Sequence, residues 1–115
     1  MNKKRVPINK SNTMPIILIS TYPTKKIITN IANNTVKLKL AACVNMIRIS
    51  SIYSWENNVK HGSEYLALFK TTSKNKKKLV NHIQKTHPYK VPEIAKIDIS
   101  SVNIPYMKWI TESVL

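Results

Sequence analysis

The sequence is poor in glycine, cysteine and acidic residues, and this scarcity excludes several kinds of site. It contains one glycine, one cysteine and five acidic residues in 115 positions. A single cysteine, Cys43, excludes a disulfide within the chain and fits a reducing compartment. There is no glycine-rich phosphate loop, no Ser-His-Asp arrangement and no pair of close carboxylates. We therefore predict that the protein is not an enzyme.

The sequence also lacks a long apolar run. The run Ile16–Ile19 is far shorter than the roughly 20 residues that a membrane span requires. The basic N-terminus has no apolar core of the kind that a secretory signal needs, and Pro7 and Asn9 interrupt it early. These features predict a cytoplasmic protein that does not interact with membranes.

Positive charge is abundant, but it is almost entirely lysine. The chain has 19 Lys and Arg against 5 Asp and Glu, giving a net charge of +14, and its only arginines are Arg5 and Arg48. Such a surface attracts polyanions without a dedicated site. Arginine is the better reader of phosphates and bases, and the glycine-flanked aromatic signature of RNA-stacking domains is absent. Heavy use of Lys, Asn and Ile also matches the codon bias of an AT-rich genome. Specific nucleic-acid binding is therefore not expected.

The pattern of apolar residues and helix caps predicts one domain over residues 14–115, preceded by a flexible basic arm over residues 1–13. A turn is expected over residues 57–63, because that segment is polar and holds Gly62 and His61. Strands are predicted at 15–21, 42–56, 64–71 and 93–99, and helices at 25–40, 73–87 and from Asn103 onward.

The resulting order is β-α-β-β-α-β followed by a C-terminal helix. This order is that of the split βαβ, a ferredoxin-like α+β fold. Ile27, Ile31 and Leu38 form the apolar stripe of the first helix. The buried face of the last helix is predicted to hold Tyr106, Trp109, Ile110 and Val114.

Four short segments carry a family resemblance: AACVNMI at 41–47, SWE at 54–56, FKTT at 69–72 and HPYKVPE at 87–93. In this order and spacing the chain resembles the divalent-cation tolerance (CutA) family. The resemblance implies the same ferredoxin-like core, a cytoplasmic homotrimer assembled through its sheets, and a role in divalent-cation tolerance.

The resemblance also implies a cleft between subunits. Lys70, Tyr89 and Glu93 resemble polar residues that line this cleft, where they would hold a small anion or cation. A salt bridge between Lys70 and Glu93 at a subunit boundary is the structural alternative. Trp55, in the long hairpin, is expected to pack across an interface.

Copper is the cofactor that the resemblance suggests. Some family members bind it through a cysteine that ends the first strand and two adjacent histidines that end the second helix. Ser20 and Thr86 stand at two of these positions, so only His87 is retained. Hydroxyl groups are poor copper ligands beside thiolate and imidazole. We predict a weak divalent-metal site at His87 and Glu93, with helix capping as the alternative role of His87.

Other histidine and cysteine sites are not expected. His82 and His87 are five residues apart, which separates them by roughly 140° around a helix, so they do not share a face. Cys43 is interpreted as a buried strand residue. The alternatives to metal tolerance are a polyanion-binding module driven by the basic surface and a structural trimeric scaffold for a partner protein.

Overall fold

The computed structural model describes residues 14–115, and the arm predicted over residues 1–13 lies outside this range. The α+β fold and the predicted order of elements are confirmed. The elements are β1 (Pro15–Tyr22), α1 (Lys25–Lys37), β2 (Cys43–Trp55), β3 (Asn58–Thr72), a 3-10 turn (Ser73–Asn75), α2 (Lys76–Thr86), β4 (Ala95–Asp98) and α3 (Ile104–Ser113).

The four strands form one antiparallel sheet in the order β2-β3-β1-β4. This is the strand order of a split βαβ, because β3 lies between β1 and β2. β1 pairs with β3 only from Tyr65 to Thr72, whereas β2 pairs with β3 over its whole length. Residues 49–55 and 58–64 therefore form a two-stranded arm about 23 Å long, at about 3.3 Å per residue.

The hairpin turn lies earlier than the sequence predicts. It is formed by Glu56 and Asn57, whose φ angles are 50° and 65°. Two-residue hairpin turns favour positive φ at both central positions, a conformation that asparagine tolerates. Gly62 and His61, predicted in the turn, lie inside β3 instead. The turn prediction was wrong because it followed the single glycine rather than the polar Glu56-Asn57 pair.

The helices α1 and α2 begin in different ways. Thr24 caps α1, since its Oγ1 accepts a hydrogen bond from the Ile27 amide at 3.2 Å. The cap predicted at Ser73 is wrong, because a 3-10 turn intervenes and Asn75 precedes α2. The Asn75 amide nitrogen donates instead to Thr72 Oγ1 and to the Leu115 main-chain oxygen, at 3.1 and 3.0 Å. Asn75 therefore ties the start of α2 to the last described residue.

Two elements are shorter than predicted. α1 ends at Lys37 rather than Leu40, because Lys39 adopts a φ of 60° that cannot continue a helix. β4 spans only Ala95–Asp98, since its pairing with β1 stops at these residues.

One face of the sheet, called here the closed face, is covered by α1 and α2. Leu18 of β1 and Phe69 of β3 face each other across the strands and are almost fully buried. They pack in one core cluster with Ile28 of α1 and with Leu79 and Ile83 of α2. This cluster gives the domain its hydrophobic core.

The other face, called here the open face, carries the alternate residues of the same strands. α3 contacts β3 at one end of it, where the Lys70 Nζ lies 5.9 Å from the centre of the Tyr106 ring. Ile110 of α3 is buried as predicted, whereas Trp109 is 44% exposed and its predicted burial was wrong. The apolar residues of this face are half-buried or exposed: Ile17, Ile19, Ile47, Leu66, Leu68 and Ile97.

Candidate functional site

A groove of about 790 Å³ lies on the open face where the arm meets the segment that follows α2. Its walls are largely apolar and aromatic, and two carboxylates stand among them. The lining residues are Thr21, Ile49, Ser51, Ile52, Tyr53, Trp55, Glu64, Leu66, Pro88, Tyr89, Lys90, Val91 and Glu93.

The strand period places the wall that the hairpin contributes. Tyr53 and Trp55 of β2 point to the open face because alternate residues of a strand share a face. Glu64 and Leu66 of β3 lie on the same face, opposite Ile49 and Ile47. The hairpin therefore supplies an aromatic tip and one carboxylate to the groove.

The second wall is the segment 87–93, which returns from the end of α2 toward β4. Pro88 cannot continue a helix, and α2 ends at Thr86. The Tyr89 hydroxyl donates a hydrogen bond to Glu64 Oε2 at 2.7 Å, which joins this segment to the hairpin. Burial and then the Glu64 carboxylate raise the pKa of Tyr89, so the phenol remains a hydrogen-bond donor at neutral pH.

His87 holds the start of this segment against β1. Its Nδ1 accepts a hydrogen bond from the Tyr89 amide at 3.1 Å. Its Nε2 lies 2.9 Å from the Thr21 carbonyl oxygen and 3.1 Å from Ser20 Oγ. Since a carbonyl oxygen only accepts, Nε2 carries the hydrogen and the ring is the neutral tautomer with a free pair only on Nδ1.

Two tyrosine rings enclose the His87 imidazole. Tyr22 stacks on it with ring centroids 4.3 Å apart and planes 18° apart, and Tyr89 lies 4.9 Å away at 45°. Burial lowers the pKa of His87, and this outweighs the opposite effects of the Thr21 carbonyl and the Glu64 charge. The imidazole is therefore held neutral.

Tyr22 itself is fully buried, and burial raises its pKa to about 12 despite a smaller opposite effect of the Ser20 hydroxyl. Among residues 14–115 its Oη finds no hydrogen-bond partner of good geometry. Tyr22 therefore serves as an apolar platform for the imidazole.

Copper does not fit the donor set around His87. The Nδ1 lone pair is occupied by the Tyr89 amide, and Nε2 is protonated. Ser20 offers a buried hydroxyl, and Thr86 turns its hydroxyl back onto the His82 carbonyl at 2.8 Å. Nowhere in residues 14–115 do three His, Cys, Asp or Glu side chains come together as a metal-binding group. The metal site at His87 and Glu93 stays a prediction from the family resemblance, and it has no support in this geometry.

The remaining predicted residues divide into two groups. Trp55, Tyr89 and Glu93 line the same groove. Lys70 does not line it, and within residues 14–115 the single ion pair joins Lys96 Nζ to Asp98 Oδ1 at 3.2 Å. A Lys70–Glu93 salt bridge is thus absent within the described chain, and a bridge between subunits stays a prediction.

Sequence reasoning missed Glu64, Tyr53 and Tyr22. Glu64 lies 25 positions from its partner Tyr89, so no local pattern joins them. The alternation of β2 and β3 could have placed Tyr53 and Glu64 on one face, had the turn been placed correctly at residues 56–57.

The fold and the groove define the chain as a ferredoxin-like domain with an extended hairpin arm. A family model described as "CutA1 divalent ion tolerance protein" matches residues 16–113. The chain belongs to this family.

Individual relatives agree with this assignment. The divalent-cation tolerance protein CutA of Thermotoga maritima is 35% identical over 100 residues, covering 87% of this chain and 99% of the relative. Protein CutA of Homo sapiens is 39% identical over 98 residues, covering 82% of this chain and 55% of the longer human protein. The crystal structure of the divalent ion tolerance protein CutA1 from Ehrlichia chaffeensis has a TM-score of 0.84 and 32% identity, covering 87% of this chain and 94% of that chain.

Proposed function

We propose that this protein acts in tolerance of divalent metal ions as a cytoplasmic homotrimer that catalyses no reaction. Three copies are what the family resemblance implies. The observation that carries the assembly is the open face, where α3 covers only one end and most apolar side chains stay half-buried or exposed within residues 14–115. A sheet face of this kind is normally buried against another layer.

The outer edge of the sheet supports the same proposal. Within residues 14–115 the outer edge of β2 pairs with no other strand over Cys43–Trp55, and β2 holds one charged residue, Arg48. Long edges with so little charge pair readily with another chain, and native proteins usually cover them. The two-stranded arm also supports assembly, since an isolated hairpin is at best marginally stable in water. A second copy seated on the open face would cover edge, arm and groove together.

The experiment compares two substitutions that add the same charge to different faces. Leu68→Asp places a carboxylate in the middle of the open face, and Asn33→Asp places one on the exposed side of α1. We expect native mass spectrometry to find trimers for the unmodified chain and for Asn33→Asp, and monomers for Leu68→Asp. A trimer that persists in Leu68→Asp would contradict assembly through this face.

The link to metal tolerance is tested in cells that lack their own copy. Growth in graded Cu(II), Zn(II) and Co(II) is compared with the unmodified chain, Leu68→Asp and Asn33→Asp. We expect the unmodified chain and Asn33→Asp to restore growth equally, and Leu68→Asp to fail. Equal growth without any copy would contradict the proposed function.

A second candidate function is sequence-independent binding of a polyanion. The 3-10 turn and α2 together carry a stripe of exposed lysines, with no acidic residue on either element: Lys74, Lys77, Lys78 and Lys85. Such a stripe would attract a phosphodiester backbone through counterion release.

A matched pair of triple variants tests this candidate. Neutralising Lys77, Lys78 and Lys85 to Gln removes three of the four charges of the stripe, whereas neutralising Lys60, Lys90 and Lys108 to Gln removes the same charge elsewhere. If α2 binds the polyanion, affinity for a mixed-sequence single-stranded DNA should fall further, and lose more of its salt dependence, in the first variant. Equal losses would indicate only the net charge of the chain.

A further inference from the structure

We infer that His87 is a positioning residue in this chain, one that clips the segment 87–93 to β1 and sets Tyr89 in the groove wall, and that it does not ligate copper. The histidine is the one residue retained from the copper-binding set of the resembled family. In this fold both of its ring nitrogens are already committed to main-chain groups. The inference goes beyond metal tolerance and does not rest on the trimer, because every contact lies within one chain.

The directions of the two hydrogen bonds leave neither ring nitrogen of His87 free for a metal. Nδ1 accepts from Tyr89, two residues later, and Nε2 donates toward Thr21 on β1. A metal at Nδ1 would have to displace the Tyr89 amide, and a metal at Nε2 would have to displace a proton that is hydrogen-bonded. Either change leaves a main-chain polar group without its partner, which costs free energy where the group is shielded from water.

The imidazole ring of His87 is also enclosed by two tyrosine rings. Stacking on Tyr22 fixes the plane of the imidazole, and the Tyr89 ring shields it from a second side. The Ser20 hydroxyl, fully buried beside Nε2, fills the position of the family's cysteine with a group that hydrogen-bonds to the ring. Two of the three positions that would build a copper site, Ser20 and His87, are therefore joined by a hydrogen bond instead.

His87 is also connected to the groove through Tyr89. The Tyr89 amide that His87 holds belongs to the residue whose hydroxyl reaches Glu64. His87 thus fixes one end of Tyr89 and Glu64 fixes the other. Loss of the His87 hydrogen bonds should make the segment 87–93 more mobile, while the core of the closed face stays packed.

Three variants separate the clip from metal binding. His87→Asn keeps an acceptor near the position of Nδ1, His87→Ala keeps neither hydrogen bond, and His61→Ala removes an exposed histidine of the arm. Amide hydrogen exchange at Tyr89 should accelerate about twofold to twelvefold in His87→Ala, the range expected for one hydrogen bond. His87→Asn should restore most of the protection, and His61→Ala should leave it unchanged.

Copper titration of the full chain provides the second readout. The family resemblance predicts that His87→Ala lowers copper affinity. A positioning role for His87 predicts instead that copper uptake is the same in the unmodified chain, His87→Ala and His87→Asn. Nitrogen-15 spectra of the imidazole should show hydrogen on Nε2 and an accepting Nδ1 at neutral pH.

Two outcomes would overturn the inference. One is stoichiometric copper in the unmodified chain that is lost in both His87→Ala and His87→Asn. The other is an imidazole with hydrogen on Nδ1 together with unchanged Tyr89 exchange in His87→Ala. Because His87→Asn keeps the acceptor, the copper comparison stands even if His87→Ala folds poorly.

Discussion

The two faces of the sheet are built from alternate residues of the same strands, yet they end in different surroundings. Leu18 on the closed face is 1% exposed beneath α1 and α2, whereas Ile97 on the open face is 46% exposed. Side-chain hydrophobicity therefore does not distinguish the faces; cover by α1 and α2, which lies only on the closed face, does. The comparison teaches that the closed face stabilises the single chain, whereas the open face, which α1 and α2 leave uncovered, is the surface to which the proposed assembly is assigned.

The largest loss of stability is expected for a substitution on the closed face. Leu18→Ala leaves a cavity in the core and should lower the free energy of unfolding by about 2–5 kcal/mol. Urea unfolding followed by circular dichroism measures the loss, which should be the same at every protein concentration. A loss that grows on dilution would place Leu18 in an interface instead.

Leu68→Ala is the matched change on the open face, one position from Phe69. We expect a smaller loss of about 1–2 kcal/mol per chain, since less apolar area is buried there. Because an interface is stabilised by mass action, the shift in melting temperature should grow as the protein is diluted. Calorimetry over a hundredfold range of concentration, with Leu18→Ala as control, tests the contrast between the faces.

Tyr89→Phe removes the hydrogen bond that closes the groove on the open face. The expected cost is about 0.5–1.5 kcal/mol, because the partly exposed Glu64 regains water. The control is Tyr53→Phe, which removes an exposed hydroxyl of the same groove. Equal unfolding free energies for the two variants would show that the Tyr89–Glu64 contact does not stabilise the segment 87–93.

The smallest effect is a pH dependence at the rim of the closed face. The folded-state pKa of His87 is lowered, so the unfolded chain binds the proton more readily. This contribution to stability is complete above the unfolded pKa of about 6.5 and is lost as pH falls toward the folded value. Glu64, Tyr22 and Tyr89 are the ionisable groups that face the ring.

Unfolding free energies measured from pH 7.5 to 5.5 test this dependence against His87→Asn, which has no titrating imidazole. The unmodified chain should lose more stability than the variant as the solution becomes acidic. Parallel curves would mean that the His87 imidazole is as free to take up a proton in the folded state as in the unfolded one.

The elements that form the closed face could be predicted from the sequence, whereas the exposure of side chains on the open face could not. Leu79 and Ile83 repeat at helical spacing, and β1 is an apolar run ended by Pro23, so these elements followed from local patterns. Trp109 also lies on an apolar stripe, but a stripe says which side of a helix is apolar and not what covers it. Within residues 14–115 nothing buries Trp109, which stays 44% exposed.

Residues of the groove show the same limit. Trp55, Tyr89 and Glu93 were found through the family resemblance, and the fold does bring them together. The role of His87 could not be found in this way, because its partners Ser20 and Thr21 lie in β1, distant in sequence. Motifs identify residues that relatives use, whereas hydrogen-bond partners across the fold decide what each one does.

The registers of the sheet also carry a consequence for the order of folding. β2 and β3 pair from Trp55 and Asn58 outward, so the hairpin can close by adding neighbouring pairs, on the time scale of microseconds. β4 pairs with β1, from the other end of the domain, and its contacts have a long loop-closure cost. The hairpin should thus form early with both of its edges open, and the outer strand should join last. During that interval the unpaired edges of the hairpin are most exposed to pairing with a wrong strand.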